Sequence, residues 1–399
     1  MEEKEKGAFM PPDLTENIAT TKQCKDTNYF PVGQIVRVAD DFFEKVCTPW
    51  GEVKWVPRKR KELEKDGCDF SALKKFKGWT NSPNFVEYKE EVNGWLNMSV
   101  PLPYTPAEEE WPTIRKLMQH IFGEQYEIGL DYYSLILTTP WQLLPILVLV
   151  SEEQGTGKST LLQFNSMLIG ANAVTMNVAQ YYQQFNAVYA AKILIGVDET
   201  VFGDHSIKER IKQDSTAPTI QLRRMHTEHQ TLPFFGKFIL CTNRAKDFAR
   251  LDKEDVRFWV RNVQPLQEYD PDFCTKLQQE VPAFAHYLLT RVLATPQPLS
   301  RMWFSPEQLK TDALTAIVEN SISDCAKDIM IWSESVNRAE FGATEKDIWE
   351  ELGKKYTLAQ VRKALKEELK LPNNNKRFID RFGNPQVGRA YIFQTDLPE

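Results

Sequence analysis

Cysteine and histidine are scarce in this chain of 399 residues, which holds six of the first and five of the second. No two cysteines form a CxxC pair and none has zinc-type spacing to a histidine, so a structural zinc site has no ligand set and reduced thiols are expected. Repeats and low-complexity tracts are lacking. No apolar run follows the opening MEEKEKG, which argues against a secretory signal and for a cytoplasmic protein. One uncharged stretch, Tyr132 to Ser151, carries Pro140 and Pro145 with Thr138, Thr139 and Gln142 between its apolar parts. A soluble helix followed by a buried strand accounts for it better than a membrane span, so no membrane partner is expected. A net positive charge is missing too: 49 Lys+Arg face 55 Asp+Glu, for a formal charge of −6. Taken alone, that balance argues against a nucleic-acid partner.

Its distribution argues otherwise. Between Gly353 and Arg389 ten basic residues face three acidic ones; from Ile207 to Arg261 twelve face seven; from Lys54 to Lys77 nine face four. The acidic total hides three basic islands. With 42% hydrophobic and 26% charged residues the chain has a globular composition, and its length predicts two or three domains.

Residues 1–80 alternate short β-like runs with charge: Gln34 to Val38 and Gly51 to Val56 read as strands, Arg58 to Lys65 as a basic helix. Residues 81–140 are proline-rich and then helical, with Ile114, Leu117, Met118 and Ile121 on one 3.6-residue face. Residues 141–265 alternate strand-like and helix-like stretches, the pattern of an α/β core with a parallel sheet. A helical segment, 266–331, includes a helix start at Ser305-Pro306. Residues 332–399 form a separate small unit.

The sharpest motif lies in the third segment. Ile146 to Val150 is an apolar run suited to a buried parallel strand. It leads into Gln154-Gly155-Thr156-Gly157-Lys158-Ser159-Thr160, which opens a helix through Leu161, Leu162 and Phe164. Glycines at 155 and 157 let backbone N–H groups turn toward phosphate oxygens, and the helix N-terminus adds partial positive charge. In such a loop, residues 155–160 bind ATP: Lys158 reaches the β/γ-phosphates and the Ser159 hydroxyl ligates Mg²⁺. The pattern GxxxxGK[ST] asks for glycine where this chain has Glu152; the strand–loop–helix context offsets that departure.

Forty residues after Lys158 a second apolar strand ends in Asp198-Glu199. Asp198 is placed to hold the metal and Glu199 to orient the attacking water. A third strand, Gly236 to Asn243, ends in Asn243, an amide suited to sensing the γ-phosphate.

Three such strand ends so close together resemble the superfamily 3 helicases of viruses and phages, and more locally the helicase part of phage and prophage primase-helicases. The residues that carry the resemblance are FKGWTNSPNF (Phe76 to Phe85), the phosphate loop, VDET, FILCTN and VRFWVR (Val256 to Arg261). It covers roughly residues 30–330 and does not extend to a primase active site. The resemblance implies an AAA+ core at 141–265, an N-terminal accessory region, a collar or oligomerisation segment at 81–140, and an ATP-driven hexamer that moves 3′→5′ on single-stranded or forked DNA. It also implies a bacterial host cytoplasm, and a separate primase or polymerase as a further partner. Asn243 matches the family's sensor, and Arg257 its arginine finger, which reaches into a neighbouring subunit; Arg261 and Arg250 are the alternatives. Between the second and third strands the family carries a channel hairpin that grips DNA. The matching stretch is Ile220 to His229, with Arg223, Arg224 and His226 as contacts; a solvated turn is the plainer alternative.

The tail reads as helix, turn, helix, hairpin, the order of a winged helix. Leu358 to Leu369 places Arg362, Lys363 and Lys366 as DNA contacts, and Arg377–Arg381 and Val387–Phe393 flank a turn at Gly383-Asn384-Pro385. Two other readings stay open: a P-loop ATPase that remodels something other than nucleic acid or acts as an antiviral NTPase, and an origin-binding initiator or loader without motor activity.

Overall fold

A computed structural model describes residues 33–48, 53–198, 205–224, 230–243, 257–266, 270–296, 300–321, 323–336, 338–374 and 377–394. The described residues divide into two compact units, one ending at Leu309 and the other beginning at Lys310.

The first unit starts with β1 (Ile35–Val38), β2 (Asp41–Cys47), β3 (Val53–Arg58), the short helix α1 (Arg60–Lys65) and β4 (Lys74–Phe76), in a sheet of order β3-β2-β1-β4. A second small sheet joins β5 (Trp79–Thr80), β6 (Glu91–Val92) and β7 (Trp95–Asn97). Its β6–β7 turn is Asn93-Gly94, both at positive φ, the conformation that a two-residue hairpin requires and that this pair tolerates best.

Two helices follow, α2 (Pro112–Phe122) and α3 (Tyr126–Thr138). The expected apolar face of α2, Ile114, Leu117, Met118 and Ile121, is buried. Every residue of α3 from Gly129 to Leu137 is buried as well. A helix apolar all round must be enclosed, and α2 and α3 both contribute to the main hydrophobic core.

That core surrounds a five-stranded sheet built from β8 (Ile146–Val150), β9 (Ala173–Asn177), β10 (Leu194–Asp198), β13 (Lys237–Thr242) and β14 (Phe258–Asn262). Helices α4 (Lys158–Ile169), α5 (Val178–Tyr181) and α6 (His205–Thr216) and the antiparallel pair β11 (Thr219–Leu222) and β12 (Gln230–Pro233) lie between these strands in sequence. The order is β14-β8-β13-β10-β9 and every pairing is parallel. Parallel strands buried on both faces need continuous apolar sequence. Ile146–Val150 and Lys237–Thr242 are buried throughout. Helix α7 (Phe273–Thr290) and the short α8 (Pro306–Leu309) complete the unit. Trp259 on β14 stacks on Phe122 at 5.0 Å, tying α2 to the sheet. Among the described residues no helix is long and apolar enough to cross a membrane, and Tyr132 to Ser151 is the end of a helix followed by a strand.

The second unit contains α9 (Asp312–Ser321), α10 (Asp324–Ser335), β15 (Glu340–Ala343), α11 (Glu345–Glu351) and α12 (Leu358–Lys363), which continues as one π-helical turn, Ala364–Glu368. Strands β16 (Asn373–Asn374), β17 (Arg377–Ile379), β18 (Pro385–Val387) and β19 (Ala390–Gln394) follow. Its core combines Phe341, Ile348, Val361, Leu365, Tyr391 and Phe393 with Cys325, Ala326 and Ile329 of α10. The boundary therefore falls earlier than the expected residue 332, because the apolar side of α10 is buried in this unit. The expected strand Val387–Phe393 also divides. Val387 stays exposed in the β17–β18 hairpin, while Tyr391 and Phe393 are buried in a sheet of order β15-β19-β16.

Candidate functional site

Because the five core strands are parallel, their carboxyl ends share one edge. Strand β8 lies between β13 and β14; the chain leaves it toward one side and comes back on the other, which opens a crevice at that edge. The loop after β8, Asp198 at the end of β10, and Asn243 after β13 all lie there.

The loop has the backbone that the chemistry requires. Gly155 and Gly157 take φ of +69° and +86°, and Gly157 caps α4. A Cβ on Gly155 would meet nothing within 4 Å, so its restriction is conformational. Glu152 is exposed and is not among the residues at positive φ, which explains why glycine is dispensable there. The loop is buttressed on two sides: His120 Nε2 of α2 lies 3.0 Å from the Thr156 carbonyl, and the Leu266 N–H donates to the Gly155 carbonyl at 3.2 Å.

Lys158 is buried, and its ammonium donates to the hydroxyls of Ser151 and of Thr156, the latter at 3.0 Å. Burial pushes its pKa down, while Asp198 opposes that shift. Beneath the crevice, burial holds the Cys241 thiol well above its ordinary range. Ser159 is exposed, and its hydroxyl donates to Asp198 Oδ2 at 3.3 Å. Thr160, half-buried, lies one residue further into α4. The donor set fits ATP and magnesium: an ammonium and glycine-rich loop backbone for phosphate, and a hydroxyl beside a carboxylate, both hard oxygen ligands. Asn243 is exposed at the neighbouring strand end. Glu199, the expected water-orienting acid, lies outside the described residues. Among those described, no cluster of three or more metal-ligating side chains occurs.

The arginines separate clearly. Arg257 immediately precedes β14, and its carbonyl accepts from the Ile146 N–H at the start of β8, at the amino edge of the sheet. Five residues of strand, roughly 16 Å, separate it from the phosphate loop of its own chain. Arg261 is buried, with its guanidinium donating to both Glu124 oxygens at 2.6 and 3.1 Å and to Gln125 Oε1 at 2.9 Å. It is a structural residue that locks β14 to the α2–α3 connection. Arg250 lies outside the described residues.

The β11–β12 pair forms between β10 and β13, where the channel hairpin was expected, but it splits the expected contacts. Arg223 is exposed. Arg224 turns inward: its guanidinium lies 5.0 Å over the Trp79 ring and 6.0 Å over Phe43, and burial lowers its pKa. Arg224 therefore serves the hairpin's anchorage to the N-terminal sheets, where Leu222 and Leu232 share a core with Phe43, Trp79 and Leu96. His226 lies outside the described residues. Buried Asn186, which sequence reasoning missed, staples the hairpin: it donates to the Gln221 carbonyl at 2.7 Å and accepts from the Arg223 N–H at 2.8 Å.

In the second unit Lys363 and Lys366 are exposed on α12 and its continuation. Arg362 is exposed too but is held by Glu345 through contacts of 2.8–3.1 Å.

Comparison with known proteins adds a fold and a family match. A family model described as "Family of unknown function (DUF5906)" matches residues 149–260, the stretch from β8 through β14. No curated protein matches the sequence. The structure is similar to the apo structure of the NrS-1 C-terminal region, residues 305–718 of that protein, with a TM-score of 0.64 at 15% identity, covering 90% of this chain and 95% of that one. A second, A-form apo structure of the same region gives 0.65 at 16% identity, with the same coverage. The chain shares that fold. At such identity the likeness extends no further than the fold.

Proposed function

We propose that this protein is an ATP-driven replicative DNA helicase of a phage, prophage or mobile element, built on an AAA+ core of superfamily 3 type and acting as a hexameric ring. The observation that carries the reading is the pairing of Lys158 and Ser159 with Asp198 across one edge of an all-parallel sheet. Loop backbone at residues 155–160 and the Lys158 ammonium bind the phosphates; Ser159 and Asp198 hold magnesium. Bound there, magnesium neutralises charge on the phosphate oxygens. Glu199 orients the attacking water and Asn243 senses the terminal phosphate.

Arg257 sits at the amino edge of its own sheet, away from its own phosphate loop, so any nucleotide that it serves belongs to a neighbouring subunit. An arginine supplied in this way contributes about 10³–10⁵ in rate by balancing charge in the transition state. That requirement makes the oligomer part of the active site. Arg223, exposed beside the hairpin tip, contacts single-stranded DNA in the channel. The second unit, with the helical and hairpin order of a winged helix, supplies a second DNA-binding surface.

The test is ATP-dependent unwinding of forked DNA by wild type, Lys158→Ala and Arg257→Ala, with oligomer size measured alongside. Unwinding by wild type alone supports the reading. A wild-type hexamer that hydrolyses ATP without unwinding, at a rate indifferent to single-stranded DNA, overturns it in favour of a remodelling ATPase.

A further inference from the structure

The second unit contains an open concavity of about 480 Å³ between the start of α11, the α12 continuation and β19. Four cationic side chains line it: Lys346, Arg362, Lys366 and Arg389. They come from three separate stretches of chain, and Arg389 lies outside the helix that sequence reasoning singled out. One carboxylate, Glu345, stands among them, so the cavity carries a surplus of positive charge.

That carboxylate marks how the site treats an oxyanion. Glu345 accepts from the Arg362 guanidinium at 2.8–3.1 Å and from the Tyr391 hydroxyl at 3.2 Å. Arg362 holds its pKa below the usual carboxylate range, with smaller contributions from Tyr391 and Arg389. One internal anion satisfies part of the donor set; Lys366 and Arg389 add charge to it. Tyr391, the one aromatic residue of the lining, is buried, so the cavity presents no exposed ring on which a base could stack. Its volume exceeds what one phosphate needs and accommodates a phosphate with its sugar.

We infer that this cavity binds an internal backbone phosphate of a nucleic-acid strand, without base preference, and that Glu345 limits its affinity by occupying part of the same donor set. The inference rests on the reading of the second unit as DNA-binding and adds to it a defined seat, with Lys346 and Arg389 as members and Glu345 as its brake. A phosphodiester brings one negative charge and two free oxygens, which match a guanidinium fork and a neighbouring ammonium.

The experiment uses the full-length protein and single-stranded oligonucleotides of mixed sequence, with affinity measured from low to moderate salt. Arg389→Ala and Lys366→Ala each lower the slope of log K against log salt by about 0.7, the value of one lost phosphate contact on a single strand. Glu345→Gln keeps the hydrogen-bonding shape, removes the charge and tightens binding about fivefold, the worth of one unit charge near 4 Å in water. Lys354→Ala, the same loss of charge outside the cavity, leaves the slope unchanged. Oligonucleotides with a 5′-phosphate or a 5′-hydroxyl give equal affinities; dependence on the 5′-phosphate would assign the seat to strand ends and overturn the internal-phosphate claim. Equal slope losses in Lys354→Ala and Arg389→Ala, or none in either, overturn the seat while wild type still binds and unwinds DNA. Wild type that hydrolyses ATP yet binds no DNA at any salt refutes the proposed function itself.

Discussion

Replacing Lys158 with Met keeps the length of the buried stem and removes the ammonium, so it separates the cost of the charge from its use. Without nucleotide, that ammonium donates to two hydroxyls in a site whose burial disfavours its charge. The hydroxyls are not orphaned by its removal: Ser151 Oγ still donates to the Glu153 carbonyl at 2.8 Å and lies 3.4 Å from Thr156 Oγ1. Stability of the nucleotide-free protein should therefore change by less than about 1 kcal/mol. With nucleotide the balance reverses. At a concentration of about 100 Kd, binding stabilises wild type by about 2.7 kcal/mol. Losing a charge-assisted contact of about 1.5–3 kcal/mol weakens affinity roughly 10- to 150-fold. The same nucleotide concentration then stabilises Lys158→Met by only about 0.3–1.4 kcal/mol. Urea titration of both proteins, with and without a non-hydrolysable ATP analogue and magnesium, reads this difference as a shift in midpoint. A variant that keeps the wild-type nucleotide shift would refute the assignment of Lys158 to phosphate.

Other consequences follow from the same geometry. Asp131 is fully buried and accepts from Arg291 Nε at 2.9 Å and from the Thr295 N–H and hydroxyl at 2.7 and 2.8 Å; Asp131→Asn should cost about 3–5 kcal/mol in urea unfolding, the range for breaking a buried pair. Lys237 at the start of β13 donates to the Phe235 carbonyl at 2.8 Å and to that of Pro140, and burial pushes its pKa down to about 7. The unfolded lysine keeps its proton to about pH 10.4. Between pH 7 and 10 the unfolded chain binds more protons, so stability rises with pH at up to about 1.4 kcal/mol per unit from this group; a Lys237→Met variant should lose that rise. Arg257→Ala mixed with Lys158→Ala should recover part of the ATPase activity that each lacks alone, through sites that pair an intact loop with an intact arginine. No recovery in mixed oligomers would place the arginine's action elsewhere.

Much of the α/β core was legible in the sequence because its signals are local. A buried parallel strand must be apolar throughout, so Ile146–Val150 is bounded in the structure where its apolar run ends. Glycines that need positive φ and a helix start that needs capping left their mark at residues 155–159. Strand ends marked by Asp198 and Asn243 followed from the same logic, since a polar residue interrupts the run where the strand emerges. Side chains whose partners are far away in sequence could not be read in this manner. Arg224 and Arg223 are neighbours in the chain; only the packing of Trp79 and Phe43 against the hairpin turns one inward. Arg261 stays an alternative to Arg257 as the finger until Glu124, over 130 residues earlier, claims it. His120 and Asn186 carry no motif at all, because a single hydrogen bond to a remote carbonyl imposes no pattern on its neighbours.

By itself the sequence determined where backbone must be strand, loop or helix, and which residue types stand at three strand ends. It could not determine the order β14-β8-β13-β10-β9, which brings those ends to one edge, nor the convergence of Arg362, Lys366 and Arg389 on one cavity. Periodicity and glycine placement are set by the geometry of a few consecutive residues. Charge pairing and burial are set by distances in space, which exist only once the chain has folded.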